Sequence, residues 1–324
     1  MKKIFGLLLL SVLAVSCYDE YILDYEYTGV YFPYQYNVRT FVVGEGMKVD
    51  VGVALGGVRD NTFDRNVKYI LDNTLITADV LNKMKGASAY IKDNVATVTQ
   101  LLPMPANYYT LSDPDNFVIK QGWHNGVITV KPDSAAFLAD PVTMTATYVL
   151  PFNIYEADAD TILESRRSAV IGLRYENMLF GKYWHGGSAV VNRPAKTDTT
   201  LTYYKLIPQP EAKVWVLKTA GPNSLYANGY LDQATSKNEM LLTLNGDNIT
   251  ISSVAGSTFT ITGEGASSFN RSKLLQDRKI FLKYQYTNSA NGYTYHCTDT
   301  IYFRNRVRDG VNEWQDENPS HYTK

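Results

Sequence analysis

The chain has 324 residues, of which 45% are hydrophobic and 19% are charged, and its formal net charge is −1. This composition is typical of a globular protein with one or two domains and excludes a disordered one. The near-neutral charge excludes a protein that binds nucleic acid mainly through phosphate contacts. Two cysteines exclude a disulfide scaffold. The 25 tyrosines, together with few helix-forming stretches, favour an all-β protein with aromatic surfaces.

The N-terminal segment, residues 1–16, is predicted to be a signal peptide. Two lysines precede an apolar run from residue 4 to residue 15, which is too short to span a bilayer and suits a signal-peptide core. The run ends in Ala-Val-Ser before Cys17, and this pattern resembles the bacterial lipobox. The resemblance implies cleavage before Cys17 and acylation of its thiol, for example with palmitate. The alternative is an ordinary secretory signal followed by an incidental cysteine.

The residues just after Cys17 are rich in acid. Such a segment resembles the surface-export signal of Bacteroidetes lipoproteins, and the alternative is a solvated tether. Residues 17–23 are predicted to form the lipidated tether. We therefore expect a lipid-anchored protein of the outer membrane that faces the cell exterior. The acidic residues are Asp19, Glu20, Asp24 and Glu26.

The dominant sequence period beyond the tether is two, as in half-buried β-strands. Pro151 interrupts one of the predicted strands, which suggests a sheet edge or a bulge there. Short strands joined by turns are typical of sandwiches and barrels. The predicted strands are residues 48–53, 126–131, 146–155, 168–175, 202–207, 213–218, 239–244, 248–252, 258–262, 279–286 and 293–304.

The pattern predicts two β-sandwich-like domains and a single clear helix. The first domain, residues 24–176, has the size of an immunoglobulin-like sandwich, and the second covers residues 180–324. The helix is predicted over residues 78–85, because Thr77 can cap its start and Gly86 can end it.

A search for catalytic and metal-binding motifs is negative. The four histidines lack the spacing of a zinc site, and no GxSxG or phosphate-binding loop occurs. Residues 309–313 match only the start of the DGxDxDxE signature of chitinase-like glycosidases. Cys297 lies in an alternating segment and is predicted to be a small buried hydrophobe, with His296 on the opposite face. We therefore expect no enzyme, no cofactor and no metal.

Two charged groups each allow two interpretations. Glu156, Asp158 and Asp160 form an acidic patch that could bind calcium or could be a solvated loop, although EF-hand spacing is missing. Three arginines spaced by two residues would share one face of a strand. They could bind an acidic sugar or a partner, or they could form a salt-bridged surface. These arginines are Arg304, Arg306 and Arg308.

Aromatic residues in turns and at the domain junction are the candidate glycan-binding residues. A flat indole can stack on the apolar face of a pyranose while polar neighbours hydrogen-bond the hydroxyls. Trp123 and His124 lie in a glycine-flanked turn, where a core role explains a tryptophan less easily. Trp184 could instead pack at the domain junction, Trp215 could be core, and Tyr109 follows a loop with two prolines.

Three features together resemble surface lipoproteins of Bacteroides polysaccharide-utilisation loci. The first is the lipobox-like pattern at Cys17. The second is the run from YTGVYF at residues 27–32 to YVLPFNI at residues 148–154, which resembles a domain of unknown function found ahead of endo-glycosidases. The third is GKYWHGG at residues 181–187 with RNRVRDG at residues 304–310, which is similar to a second uncharacterised β domain.

This resemblance implies β-sandwich domains at the cell surface and a role in capturing oligosaccharide or polysaccharide for a TonB-dependent transporter complex. The leading hypothesis is therefore a non-catalytic glycan-binding lipoprotein. An adhesin or structural surface subunit is the alternative, and a donor strand or an open groove would favour it. A glycan hydrolase is a third hypothesis, which a cleft holding two close carboxylates would favour.

Overall fold

The structure is a computed structural model, which describes residues 27–203, 213–227, 229–231, 233–234 and 239–316. The predicted signal peptide, Cys17 and the tether lie outside the described residues, as does most of the predicted strand 202–207. The described chain is mostly β, with 52% strand and 14% helix, which confirms the all-β class. None of the helices in these ranges is long and apolar enough to cross a bilayer.

The chain divides into two compact units. Among the described residues, the first contains residues 27–39 together with Met47–Arg174. The second contains Thr40–Gly46 and the described residues from Tyr175 to residue 316. A short segment from the N-terminal half of the chain therefore belongs to the C-terminal unit.

The first unit is built from two β-sheets. Its strands are β1 (Gly29–Tyr31), β2 (Tyr36–Val43), β3 (Val49–Gly56), β4 (Arg65–Leu71), β5 (Leu102–Pro103), β6 (Tyr109–Leu111), β7 (Asn116–Ile119), β8 (Asn125–Pro132), β9 (Tyr148–Ala157), β10 (Thr161–Ile162) and β11 (Ser168–Asn177). One sheet has the order β10-β1-β3-β8-β6 and the other β2-β11-β9-β4-β7, with β5 paired to β9. The last residues of β2 and β11 already belong to the second unit.

Aromatic side chains from both sheets meet in the core of this sandwich. Phe32, just after β1, packs edge-on against Phe117 of β7, with ring centroids 5.9 Å apart. Tyr69 of β4 lies 4.7 Å from Phe117 and 5.3 Å from Phe152 of β9. All four rings are fully buried or nearly so. Alternation along each strand places these large rings on the inner face, where their burial stabilises the sandwich.

The predicted helix is confirmed over its whole length as α1 (Ala78–Lys85). The Thr77 side chain accepts a hydrogen bond from the Val80 N–H at 3.2 Å, and Gly86 is the C-cap. Two further helices, α2 (Ala89–Val95) and α3 (Ser134–Ala139), were not predicted. The chain also has 3-10 helices at Asn73–Leu75, Ala106–Tyr108, Pro141–Met144, Glu164–Arg166 and Leu275–Asp277.

Pro151 lies inside a central strand, so the prediction of a sheet edge is wrong. It pairs with Val170 of β11, while β4 lies on the other side of β9. The Asp72 N–H donates to the Pro151 carbonyl at 2.8 Å, just beyond the last β4–β9 pair. In an antiparallel pair the nitrogen and the carbonyl of one residue face the same neighbouring strand, so the Pro151 nitrogen faces β4. The hydrogen bond that it cannot donate would therefore lie at the end of the β4–β9 ladder. The β9 bulge lies at Tyr155 instead.

The second unit is built around one closed sheet. Its strands are β12 (Gly181–Asn192), β13 (Thr199–Tyr203), β14 (Lys213–Gly221), β15 (Ser224–Ala227), β16 (Gly229–Tyr230), β17 (Gln233–Ala234), β18 (Met240–Asn245), β19 (Asn248–Ser253), β20 (Ile261–Gly263), β21 (Ser267–Phe269), β22 (Lys279–Asn288), β23 (Tyr293–Arg308) and β24 (Val311–Glu313). The order β12-β14-β15-β18-β19-β20-β22-β23 closes because β23 pairs back to β12. This ring differs from the sandwich-like arrangement that the strand pattern suggested.

A buried polar cluster lies among the apolar side chains inside the ring. Asp299 of β23 accepts hydrogen bonds from His185 Nε2 at 2.9 Å, from the Tyr284 hydroxyl at 2.7 Å and from the Tyr203 hydroxyl. His185 and Asp299 are both fully buried or nearly so. Cys297, two residues before Asp299, is buried as predicted. The cluster thus links β12, β13, β22 and β23 inside the core.

Candidate functional site

Trp123 stands on a rigid turn at one end of the first unit. Its side chain is 64% exposed. The Trp123 N–H donates to the Lys120 carbonyl at 2.9 Å, and Gly122 takes a φ of +79°, which glycine adopts at no steric cost. Asn61 is 2% exposed and its side-chain amide donates to the carbonyls of Lys120 at 3.0 Å and Trp123 at 3.1 Å. A buried amide therefore fixes both ends of the turn.

Two more side chains hold this turn in place. Arg65 Nε donates to the Asn61 side-chain oxygen at 2.8 Å, which orients the amide. Asp64 accepts a hydrogen bond from the Gln121 N–H at 2.8 Å and pairs with Lys120 Nζ at 2.7 Å. The hydrogen bond from Lys120, followed by that from the Gln121 backbone, lowers the pKa of Asp64. The indole is therefore presented to solvent on a backbone held by several hydrogen bonds.

His124 follows Trp123 directly, and Phe63 precedes Asp64, which bonds the turn. His124 is exposed, and its Nε2 lies 3.1 Å from the Val58 carbonyl oxygen, which requires a proton on that nitrogen. Phe63 is also exposed, and the Arg65 guanidinium lies 4.2 Å from the centre of its ring. The turn thus combines a flat apolar surface with hydrogen-bonding side chains.

Tyr109 does not join this group. It is half-buried on β6 and pairs with Pro132, the last residue of β8. Trp123 and His124 precede the first residue of β8. Eight strand residues separate these ends by about 25 Å, so Tyr109 and Trp123 cannot stack on the same sugar ring.

Trp184 lies on the outer surface of the ring in the second unit. It is half-buried, and the guanidinium of Arg304 covers its ring at 4.6 Å. Trp184 pairs with Tyr302, but Lys182 pairs with Asn305, which makes Arg304 the extra residue of a bulge.

The bulge changes the predicted arginine stripe. Because Arg304 is the extra residue, the alternation of faces is broken, and Arg304 and Arg306 do not share one face. Arg304 is exposed, whereas Arg306 is 3% exposed. Only Arg306 and Arg308 act together, as described below.

Trp215 is not a surface platform, so its place among the glycan-binding candidates is wrong. Its side chain is completely buried inside the ring, where it stacks on His185 with a centroid distance of 4.1 Å. Among the described residues, its indole nitrogen has no hydrogen-bond partner. Trp215 is part of the core.

The acidic patch at the end of β9 bonds to protein groups. Asp158 accepts hydrogen bonds from the backbone and side-chain amides of Asn66 at 2.9 and 3.0 Å. Asp160 accepts from the Thr28 N–H at 2.7 Å and hydroxyl at 2.6 Å. These bonds explain the lowered pKa of both aspartates and give the patch a role in joining strands.

A buried ionic cluster in the second unit was not predicted. Glu45 accepts hydrogen bonds from Arg306 at 2.9 and 2.8 Å and from Arg278 at 2.7 Å. Arg306 also pairs with Glu313 at 2.5 Å, and Arg308 pairs with Glu313 at 2.6 Å. Burial would raise the pKa of Glu45, but the hydrogen bonds and charges of the arginines outweigh it and lower the pKa to about 2.

The strand pair that carries this cluster ends in an exposed tryptophan. Asp309 and Gly310 both have positive φ, at 53° and 82°, and join β23 to β24 in a tight hairpin. Trp314, which is 57% exposed, directly follows Glu313 of the cluster. The Asp-Gly dipeptide is the sequence signal that could have located this hairpin.

Comparison with known proteins supports the fold and assigns no function. A family model of an N-terminal domain matches residues 25–161. A crystal structure of a Bacteroides ovatus protein of unknown function aligns with 90% of this chain and 98% of its own, with a TM-score of 0.65 and 20% identity. A second Bacteroides ovatus structure of unknown function aligns with 90% of this chain and 100% of its own, with a TM-score of 0.45 and 11% identity. No curated protein matches the chain.

Proposed function

We propose that the protein is a non-catalytic surface lipoprotein that binds a glycan and holds it for a TonB-dependent uptake system. The observation that carries the proposal is the exposed indole of Trp123 on a turn fixed by a buried amide. The sequence resemblance to lipoproteins of polysaccharide-utilisation loci, including the lipobox-like pattern at Cys17, supports the same function.

An indole carried on a fixed turn suits sugar binding for a physical reason. Binding costs free energy for every side chain or loop that must be ordered, and a turn already held by Asn61 and Asp64 avoids that cost. The indole face buries the C–H face of a pyranose, and the exposed side chains of Gln121 and His124 can bond its hydroxyls. These groups need no bond-breaking chemistry to hold a glycan chain.

Trp123→Ala is expected to weaken glycan binding by about 1–3 kcal/mol, by analogy with base–aromatic stacking. A glycan array with the purified protein identifies a ligand, and isothermal titration then compares the variants. Tyr34→Ala is the matched control, because Tyr34 is an exposed aromatic residue of the same unit outside the turn. We expect its affinity to equal that of the unmodified protein.

Three results would contradict the proposal in different ways. Unchanged affinity in a folded Trp123→Ala variant would remove the turn from the binding site. Cleavage of the bound glycan would favour a hydrolase. A blank array across host and plant glycans would favour an adhesin or structural subunit with a protein partner.

The lipid anchor is tested separately. In cells fed an alkyne analogue of palmitate, we expect labelling of the protein to be lost in Cys17→Ala and kept in Cys297→Ala, since Cys297 is buried. Label that persists without Cys17 would overturn the predicted anchor. Protease digestion of intact cells reports outward display, which we expect to expose the protein to cleavage.

A further inference from the structure

The second unit contains a cavity of about 1220 Å³. It is bounded by the turn that carries Glu45, by the loop before β22 and by the hairpin of β23 and β24. Every lining residue belongs to this unit. Ligand sites for small molecules measure roughly 300–1,000 Å³, so the space accommodates several sugar units.

The wall of the cavity has more positive than negative charge. The buried cluster contributes three guanidinium groups and only two carboxylates, those of Glu45 and Glu313. Arg271 and Lys273 add two positive charges nearer the solvent, Asp316 adds one negative charge, and Arg271 is paired with Asp247. Five positive groups therefore face four negative ones. A surplus of positive charge near a poorly hydrated wall favours an anion as ligand, because Coulomb attraction is stronger there than in water.

Arg308 is the group of the cluster that can reach a ligand. Its side chain is 35% exposed, whereas that of Arg306 is 2% exposed. Arg308 Nη2 pairs with Glu313 at 2.6 Å, but Nη1 lies 3.7 Å from the nearest Glu45 oxygen, which is longer than a hydrogen bond. The planar guanidinium matches a carboxylate or sulfate group, with which it can form paired hydrogen bonds.

Trp314 adds a flat apolar surface to the same cavity. It is 57% exposed and follows directly after Glu313. A simple inorganic anion would use the arginine alone, whereas an acidic sugar would use both groups. Its ring would stack on the indole, and its acid group would bind the guanidinium.

We propose that this cavity binds an acidic saccharide, a chain whose sugars carry carboxylate or sulfate groups. The site lies in a different unit from Trp123 and uses different residues, so it stands independently of the function proposed for the Trp123 turn.

The test is isothermal titration of the purified protein with three probes. Oligogalacturonate carries carboxylates, a heparin oligosaccharide carries sulfates, and cello-oligosaccharide is the uncharged comparison. We expect at least one acidic probe to bind, more weakly as salt is raised. Arg308→Gln and Trp314→Ala should each reduce that affinity at least tenfold. Arg304→Gln removes the same charge from the same strand outside the cavity and should leave the affinity unchanged.

Defined results would overturn the inference. It fails if neither acidic probe binds, or if the Trp314→Ala variant binds as the unmodified protein does. Trp314 is exposed, so this variant tests the site even if Arg308→Gln disturbs folding. If Trp123→Ala abolishes acidic binding and Trp314→Ala does not, the cavity is excluded while glycan binding at the turn stands. If Trp123→Ala changes nothing and Trp314→Ala abolishes binding, the cavity stands and the turn is excluded.

Discussion

Asp299→Asn is expected to destabilise the second unit by about 3–5 kcal/mol, because it leaves buried hydrogen-bond donors unmatched at about 1–3 kcal/mol each. The carboxylate accepts from His185, Tyr284 and Tyr203 inside the ring. An asparagine keeps the volume but replaces one acceptor oxygen by a donor, which then faces other donors. Burial is the largest cause of the raised pKa of the Tyr284 hydroxyl, and it persists in the variant, so this hydroxyl cannot ionise to compensate.

A second histidine–carboxylate pair provides the control. His296 Nδ1 lies 2.9 Å from Glu264, and the two side chains are 28% and 43% exposed. We expect Glu264→Gln to cost at most about 1 kcal/mol, since water solvates both partners. Urea unfolding followed by tryptophan fluorescence measures both variants, because Trp123 is the one tryptophan outside the second unit. Equal losses in the two variants would contradict the structural role given to Asp299.

Glu45→Gln is expected to cost about 3 kcal/mol of stability at pH 7. The variant leaves Arg306 and Arg278 buried without the charge that both of them bond. Asp247→Asn is the control, because it removes one partner of an exposed ion pair with Arg271 in the same unit. We expect that change to have an effect of less than about 1 kcal/mol.

The pH dependence of the stability difference between the unmodified protein and Glu45→Gln identifies the cause of that difference. The pKa of Glu45 is about 2 in the folded protein against an ordinary value of 4.5, so the folded state holds fewer protons there than the unfolded chain. The stabilisation is therefore complete above about pH 5 and is lost as the pH falls toward 2. At about 1.4 kcal/mol per pKa unit it amounts to about 3 kcal/mol. Unfolding free energies of the unmodified protein and Glu45→Gln should converge at low pH, and a constant gap between them would refute the assignment.

Local signals predicted the elements of the fold better than their pairing. Thr77 and Gly86 define both ends of α1, because capping depends on neighbouring residues only. Strand alternation likewise placed β3, β8, β19 and β22. The central position of Pro151 and the closure of the ring depend on partners far along the chain, and no local pattern contains that information.

The prediction of the site residues shows the same contrast between local and long-range information. A glycine-flanked turn predicted the exposure of Trp123, since the reason is local. Trp215 stayed undecided between core and platform because Val214 and Val216 make both faces of its strand apolar, so alternation could not decide which face points inward. Glu45 was missed because its partner Arg306 lies 261 residues away in sequence.

The closure of the ring also fixes an order of events during biosynthesis. Its seam joins β12 to β23, so neither strand has its full set of neighbours until residues 293–308 have been made. Any sheet that the intervening strands form before then has unpaired edges, which attract other chains. Once the seam forms, the ring no longer offers an unpaired edge along β12 and β23 to neighbouring chains.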